Sequence, residues 1–123
     1  MIIGVGVDIA SPERIRKSYE RFGDRFLNRI YTPGEIEYCS SKANKFHSLA
    51  ARFAAKEAVM KALKYGISSG AIFKEVEIIP GEPPLILVTG KTAEEAKAQG
   101  VERYHLSLSH EKSMSVAFVV LEG

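Results

Sequence analysis

The stretch RFAAKEAVMK, residues 52–61, lies in the part of the sequence that decides the fold. It sits within residues 46–65, a run rich in Ala, Leu, Lys and Glu, which are strong helix formers. Small residues recur along this run at helical spacing, as Ala51, Ala55, Ala58 and Ala62. Such a stripe permits close packing against a sheet or another helix. We therefore expect one long helix, with Gly66 at its end as a left-handed cap.

The segment at the start of the sequence has the pattern of a β-strand. Bulky Ile and Val side chains alternate through residues 2–10 and share one face, while Gly4, Gly6 and Asp8 share the other. Glycine inside a strand usually means that another backbone or a ligand approaches closely. We therefore expect a close neighbour against this glycine face, with Asp8 near its end.

The segment after this strand predicts a second helix. Ser11 followed by Pro12 is a typical helix start, and Gly23 makes a break or bend plausible. Its predicted buried stripe is Ile15, Tyr19, Phe22 and Phe26. A neighbouring stripe carries three guanidinium groups on one exposed face, those of Arg14, Arg21 and Arg25.

The remaining elements complete the fold class. Capping-box spacing predicts short helices from Thr32 and from Thr92, the latter stopping at Gly100. Alternating residues predict a hairpin of residues 76–78 and 85–87, then strands at 105–109 and 115–121. This order predicts an α+β fold in which a largely antiparallel sheet packs against one long helix and shorter helices. Residues 1–123 are expected to form a single domain.

Composition excludes several classes of protein. With 46% hydrophobic and 26% charged residues the chain is an ordinary globular sequence, and no apolar run approaches the roughly 20 residues of a membrane span. The net charge of +2 is too balanced for a surface devoted to nucleic acid, so we expect no nucleic-acid partner. The single Cys39 and an N-terminus that looks like a strand rather than a secretion signal indicate a cytoplasmic protein.

Glu57 and Lys61 lie one turn apart on the long helix. The simplest interpretation is an exposed ion pair, which contributes only about 0.3–0.5 kcal/mol. Phe53 and Met60 flank Glu57, however, so its carboxylate would lie on a partly apolar strip, where a cation or metal is needed to offset burial. A second basic concentration surrounds it: Arg52, Lys56, Lys61 and Lys64.

Asp8 and Glu57 together suggest a metal site. Asp8 alone at a strand end can simply accept hydrogen bonds from turn amides. If the strand packs on the helix, however, the two carboxylates can converge, and two carboxylates plus waters suit Mg²⁺, which commonly shares its ligands with substrate phosphates. Lys61 and Arg52 would then meet the phosphates. The residues therefore indicate chemistry on a pyrophosphate.

A third cluster is Ser107-Leu108-Ser109-His110. As a nucleophile and base it is weak, because no acid with suitable spacing orients the histidine. Phosphate binding by a hydroxyl and an imidazole fits better, although His110 can also be an ordinary turn residue.

Three motifs together resemble the small bacterial holo-[acyl-carrier-protein] synthases, a branch of the 4′-phosphopantetheinyl transferases. They are Gly6-Val7-Asp8, the helix RFAAKEAVMKA of residues 52–62 and Leu108-Ser109-His110. The helix motif is long and specific. Two departures occur: Lys64 replaces the first glycine of the family's Leu-Gly-x-Gly, and Glu82 replaces the lysine of its Gly-Lys-Pro turn.

The resemblance implies an activity and roles for residues. The activity is transfer of phosphopantetheine from coenzyme A to a serine of apo acyl carrier protein, releasing adenosine 3′,5′-bisphosphate, in fatty acid biosynthesis. Asp8 and Glu57 would ligate Mg²⁺, Glu57 or a water it positions would take the serine proton, and Lys61 would neutralise phosphate charge. Coenzyme A would also contact Arg52, Ser109 and His110.

The resemblance also implies partners. Members of the branch form homotrimers with active sites between subunits, and Arg14, Arg21 and Arg25 match the surface that docks the acidic carrier protein. The alternative is a non-catalytic module in which this basic helix binds an acidic protein or nucleic acid and Asp8 and Glu57 are structural.

Overall fold

A computed structural model describes residues 1–123. In chain order the strands and helices are β1 (Ile2–Ala10), α1 (Pro12–Phe22), α2 (Asp24–Ile30), α3 (Pro33–Ser40), α4 (Lys45–Leu63), β2 (Val76–Ile79), β3 (Leu85–Val88), α5 (Gly90–Ala98), β4 (Arg103–Glu111) and β5 (Met114–Glu122). Single turns of 3₁₀-helix at Ile67–Ser69 and Phe73–Glu75 join α4 to β2.

The strands are all antiparallel and form two separate sheets. One has three strands in the order β1-β5-β4, and the other is the β2-β3 hairpin. The predicted α+β class, with an antiparallel sheet on one long helix, is therefore confirmed, and the structure adds that the sheet is divided. No helix has both the length and the apolar character needed to cross a bilayer.

The close approach expected at the glycine face of β1 is made by the backbone of α4. A Cβ built on Gly6 would lie 2.0 Å from the carbonyl oxygen of Ala58, and one on Gly4 would lie 2.1 Å from that of Ala62. Both alanines are buried members of the small-residue stripe. Helix and strand therefore approach so closely that any side chain at these two strand positions would collide with the helix backbone, which only glycine avoids.

The end of α4 differs from the prediction. The helix stops at Leu63, and the left-handed capping position, with φ 54°, is occupied by Lys64. Gly66 has φ −104° and is extended. The prediction that Gly66 caps the helix is therefore wrong, because the chain leaves the helix two residues earlier, at Lys64.

Two other predictions about helices are corrected. Thr92 is buried inside α5, which begins after Thr89, and both its amide and hydroxyl donate to Glu75. Phe22, assigned to the buried stripe, is 52% exposed. The reason is Gly23, whose φ of 62° breaks the helix between α1 and α2, so Phe26 continues on a new axis.

Replacement of Gly6 by alanine tests the contact between β1 and α4. Because its Cβ would meet a backbone carbonyl that cannot rotate away, we expect Gly6→Ala to lower the free energy of unfolding by about 3 kcal/mol or more. Urea unfolding measures this. Gly66→Ala is the control, since nothing lies within 4 Å of a Cβ there, and it should change stability by less than about 1 kcal/mol. Equal midpoints for both variants would contradict this account.

Candidate active site

Asp8 is held beside α4 by Lys61. The Lys61 Nζ donates to Asp8 Oδ1 at 2.8 Å and to the Val7 carbonyl at 3.1 Å. The Asp8 side chain is 13% exposed, whereas that of Lys61 is 55% exposed. The lysine therefore pairs with the strand carboxylate and not with Glu57, the partner that helical spacing alone suggested.

Glu57 shares this corner of the molecule without a hydrogen bond to Lys61. Partial burial and the negative charge of Asp8 raise the pKa of Glu57, and the Lys61 ammonium opposes them. Two carboxylates with one ammonium between them leave net negative charge in a partly desolvated place. This is the electrostatic condition that favours binding of a further cation.

Glu57 stands where two open grooves meet. The first, about 430 Å³, is lined among others by Asp8, Arg14, Ser18 and Phe53 and lies towards α1. The second, about 280 Å³, is lined among others by Lys61, Lys64, Tyr65 and Phe73. The predicted apolar flank of Glu57 is present, because Phe53 lines the first groove with it and Met60 lines the second. Phe53 also stacks on Phe73, with the ring centroids 5.4 Å apart. Two separate molecules can therefore reach this one carboxylate.

The donor set at this corner fits a magnesium ion. No cluster of three or more His, Cys, Asp or Glu side chains suited to a metal exists in the chain, and the two carboxylates that line this corner are those of Asp8 and Glu57. Mg²⁺ is usually held in proteins by one or two carboxylates, with water and substrate phosphate completing its shell. Asp8 and Glu57 match that coordination preference. They do not match structural zinc sites, in which four nitrogen or sulfur ligands surround the ion.

Arg52 does not join Asp8 and Glu57. It is 6% exposed, its guanidinium lies over the Tyr38 ring at 4.6 Å and it donates to the Ser48 hydroxyl and carbonyl. Arg52 is therefore engaged by Ser48 and Tyr38 within the chain, and its contact with coenzyme A stays a prediction. Arg52 lies five residues before Glu57 and so projects from a different side of the helix.

Lys56 is buried, in contrast to what the sequence pattern suggested. It was counted in a basic concentration, yet it is fully buried and pairs with Glu35 at 2.8 Å. It also donates to the carbonyls of Phe73 and Val76. Burial lowers the pKa of Lys56, and the Glu35 carboxylate opposes that effect. Val59 and Met60, one helical turn beyond Lys56, are apolar and buried, and they were the available sign that this face of the helix is covered.

Ser109 and His110 lie on opposite faces of the sheet. His110 is paired through Ser115 with Ala10, on the face that carries α4, whereas Ser109 is paired with Val116 on the other face. Both side chains are exposed. Within one chain they therefore do not form a single phosphate-binding pair, and Ser109 faces away from Glu57.

The sheet face away from α4 is apolar and open. Val5, Val7, Ile9 and Phe118 are between 46% and 56% exposed there. These four residues, which we call the outer patch, lie beside Ser107 and Ser109 of β4. Contiguous exposed apolar side chains of this kind commonly mark an interaction surface.

The predicted arginine stripe is present on α1 and α2. Arg14, Arg21 and Arg25 are exposed and have no carboxylate partner within the chain. Arg16, by contrast, is neutralised by Glu13 and Glu20. The exposed Phe22 lies among the free guanidinium groups, with that of Arg21 5.0 Å from its ring centroid. The stripe is thus a cationic surface with an apolar centre.

Comparisons with known proteins agree with the motifs. The family model described as 4′-phosphopantetheinyl transferase superfamily matches residues 4–117. A holo-[acyl-carrier-protein] synthase of Koribacter versatilis is 51% identical over 124 residues, covering 99% of each chain. The crystal structure of the Neisseria meningitidis synthase has a TM-score of 0.84 at 34% identity and covers 100% of both chains. The Helicobacter pylori synthase in complex with coenzyme A has a TM-score of 0.82 at 34% identity, covering 96% of this chain and 99% of that one.

The charge at Glu57 predicts an effect on stability. Because the pKa of Glu57 is raised in the folded state, that state binds more protons than the unfolded chain, and stability falls as pH rises from the ordinary carboxyl range through the raised value. Without metal or substrate we expect Glu57→Gln to remove this fall. At neutral pH it should raise the melting temperature by about 1–3 °C, and near pH 4 the difference should vanish. Glu94→Gln, an exposed position on α5, is the control; a lower melting temperature for Glu57→Gln at neutral pH would refute the interpretation.

Proposed function

The chain belongs to the 4′-phosphopantetheinyl transferase superfamily, and from this premise we propose that its site converts apo acyl carrier protein to the holo form. Phosphopantetheine passes from coenzyme A to a carrier serine. The serine oxygen bonds to the phosphorus that bears pantetheine, the bridging P–O bond breaks, and adenosine 3′,5′-bisphosphate leaves with that oxygen. Holo carrier protein then serves fatty acid biosynthesis, and we place the reaction in the cytoplasm, in keeping with the buried free Cys39.

The observation that carries the proposal is the meeting of two grooves at Glu57. A transfer between two large substrates needs both reacting groups at one point. Glu57 is reached from the groove beside Arg14 and also from the groove beside Lys64. The carrier serine fits the first groove because the arginine stripe begins there. The diphosphate fits the junction at Glu57, between Asp8 of the first groove and the two lysines of the second.

We propose that Asp8 and Glu57 hold Mg²⁺ on the diphosphate, which would supply charge neutralisation at the reacting phosphorus when bound. Glu57, or a water bound to it, takes the proton of the serine hydroxyl. Lys61 stands within hydrogen-bond distance of Asp8 and stabilises negative charge that accumulates on the leaving phosphate.

Transfer is tested directly by the mass of the carrier. Apo acyl carrier protein incubated with this protein, coenzyme A and Mg²⁺ should gain the mass of phosphopantetheine. Removing Mg²⁺ with a chelator should stop the gain, as should Glu57→Gln or Asp8→Asn, with activity falling at least about 100-fold. A non-catalytic basic module would leave the mass unchanged under every condition. Wild-type rates in the Glu57→Gln variant would remove the assigned roles of that carboxylate.

We propose further that the outer patch is covered by a second copy of the chain and that three copies assemble. Support comes from its exposed apolar side chains and from Ser109, which lies on the same face and would approach a neighbour's site rather than its own. In a trimer of this kind, Ser109 of one subunit and Glu57 of the next would contribute to one site. The single chain has only shallow grooves, which such an assembly would deepen.

A charge placed in the outer patch tests this assembly. Val7 and Phe118 are paired across β1 and β5 in the centre of this patch. Assembly would bury a carboxylate placed there, so we expect Val7→Asp or Phe118→Asp to convert the trimer to a monomer. The molar mass measured by light scattering reports this change. Phe22→Asp, an equally exposed residue on α1, should remain a trimer. Circular dichroism confirms that the variants fold. An unsubstituted protein that is monomeric at micromolar concentration would disprove the assembly.

We propose that the arginine stripe docks the acidic carrier protein. Opposite charges speed encounter and set orientation, and salt screens them. We expect Arg21→Gln to raise the apparent KM for carrier by about 3- to 10-fold at low salt and much less at 0.5 M salt. Lys97→Gln, which removes the same charge from exposed α5, should have no effect on that KM. A salt-independent defect would argue against docking.

A further inference from the structure

Lys64 holds an unusual backbone conformation next to the candidate site. It is the one non-glycine residue of the chain with positive φ, at φ 54° and ψ 37°. A side chain with a Cβ is disfavoured in this left-handed region, and glycine or asparagine normally occupies the capping position. Capping of α4 by itself therefore does not account for lysine at this position.

The lysine side chain has no partner within the chain. Lys64 is exposed, and no carboxylate lies within ion-pair distance of it. Its neighbour Lys61 is committed, because its ammonium is shared by Asp8 Oδ1 and the Val7 carbonyl. Of the two lysines that line the groove beside Glu57, only Lys64 therefore has all its donors free.

The groove itself indicates what this ammonium meets. It is lined by Glu57, by the two lysines Lys61 and Lys64, and by the aromatic side chains of Tyr65 and Phe73. Such a lining suits a phosphate attached to an organic chain or base. Lys64 lies one helical turn beyond Lys61, further from Asp8 and Glu57. An anion that extends away from the metal-binding carboxylates would reach it.

We propose that Lys64 is a substrate-binding residue that contacts a phosphate of coenzyme A. This rests on the function proposed above. The two lysines have different roles. Lys61 remains paired with Asp8 at the reacting centre, whereas Lys64 binds the substrate from the wall of the groove. The left-handed conformation ends α4 at Lys64, and the residue lines the groove from that position.

The test is binding of coenzyme A, measured by calorimetry with Mg²⁺ present, to Lys64→Asn, Lys64→Arg and a control. Asparagine tolerates the left-handed backbone but carries no charge, whereas arginine keeps the charge. Lys97→Asn removes an equal charge from exposed α5. We expect Kd to rise about 5- to 20-fold for Lys64→Asn, with a smaller difference at 0.5 M salt, and to change less than about 3-fold for the other two.

The same titration with dephospho-coenzyme A, which lacks the 3′-phosphate, tells which phosphate is bound. A Lys64→Asn defect of equal size with both ligands supports contact with the diphosphate, and a defect seen only with coenzyme A supports contact with the 3′-phosphate. Unchanged affinity in Lys64→Asn overturns the proposal, as does an equal loss in Lys97→Asn. The transferase proposal is judged separately, by whether the unsubstituted protein modifies the carrier.

Discussion

The contact between the glycine face of β1 and the alanine stripe of α4 is the constraint on which the rest of the structure depends. Strand and helix can touch only because Gly4 and Gly6 have no side chain, and each lies against a carbonyl of the helix. This contact fixes the position of Asp8 along the helix. It brings Asp8 Oδ1 within 2.8 Å of Lys61 Nζ and places the carboxylate beside Glu57. A wider separation would leave the carboxylates on unrelated surfaces.

The helix holds this position because its other side is anchored by charge. Lys56, adjacent to Glu57 in sequence, is buried against Glu35 of α3 and the carbonyls of Phe73 and Val76. Removing one partner of such a pair leaves an uncompensated buried charge, which is strongly unfavourable. The pair also fixes Phe73, whose ring stacks on Phe53 beside Glu57. The buried face of α4 that carries Lys56 thus determines which side chains surround the carboxylate of Glu57.

The sequence allowed much of the fold and part of the site to be predicted. The periodicity of apolar residues located the strands and helices, the N-caps at Ser11 and Thr32 are present, and the glycines of β1 correctly indicated a close neighbour. What failed was the environment of long cationic side chains: the sequence groups Arg52 and Lys56 with Lys61 and Lys64 in one basic concentration, but Arg52 and Lys56 are buried. Charge patterns on one helix do not say which face is covered, because that depends on distant partners such as Glu35 and Tyr38. The cap at Lys64 was missed because lysine there opposes backbone propensity.

The two faces of the three-stranded sheet explain why a chain of this size would have to assemble with other copies to complete its site. Strand alternation sends Asp8 towards α4 and sends Val7 and Ile9 the opposite way, so the strand that supplies a site carboxylate also exposes apolar side chains. The same alternation separates Ser109 from His110. Residues on opposite faces of one sheet can serve one substrate only when a neighbouring chain brings its outer face to the groove. The proposed assembly and the formation of the site would therefore follow from the same strand geometry.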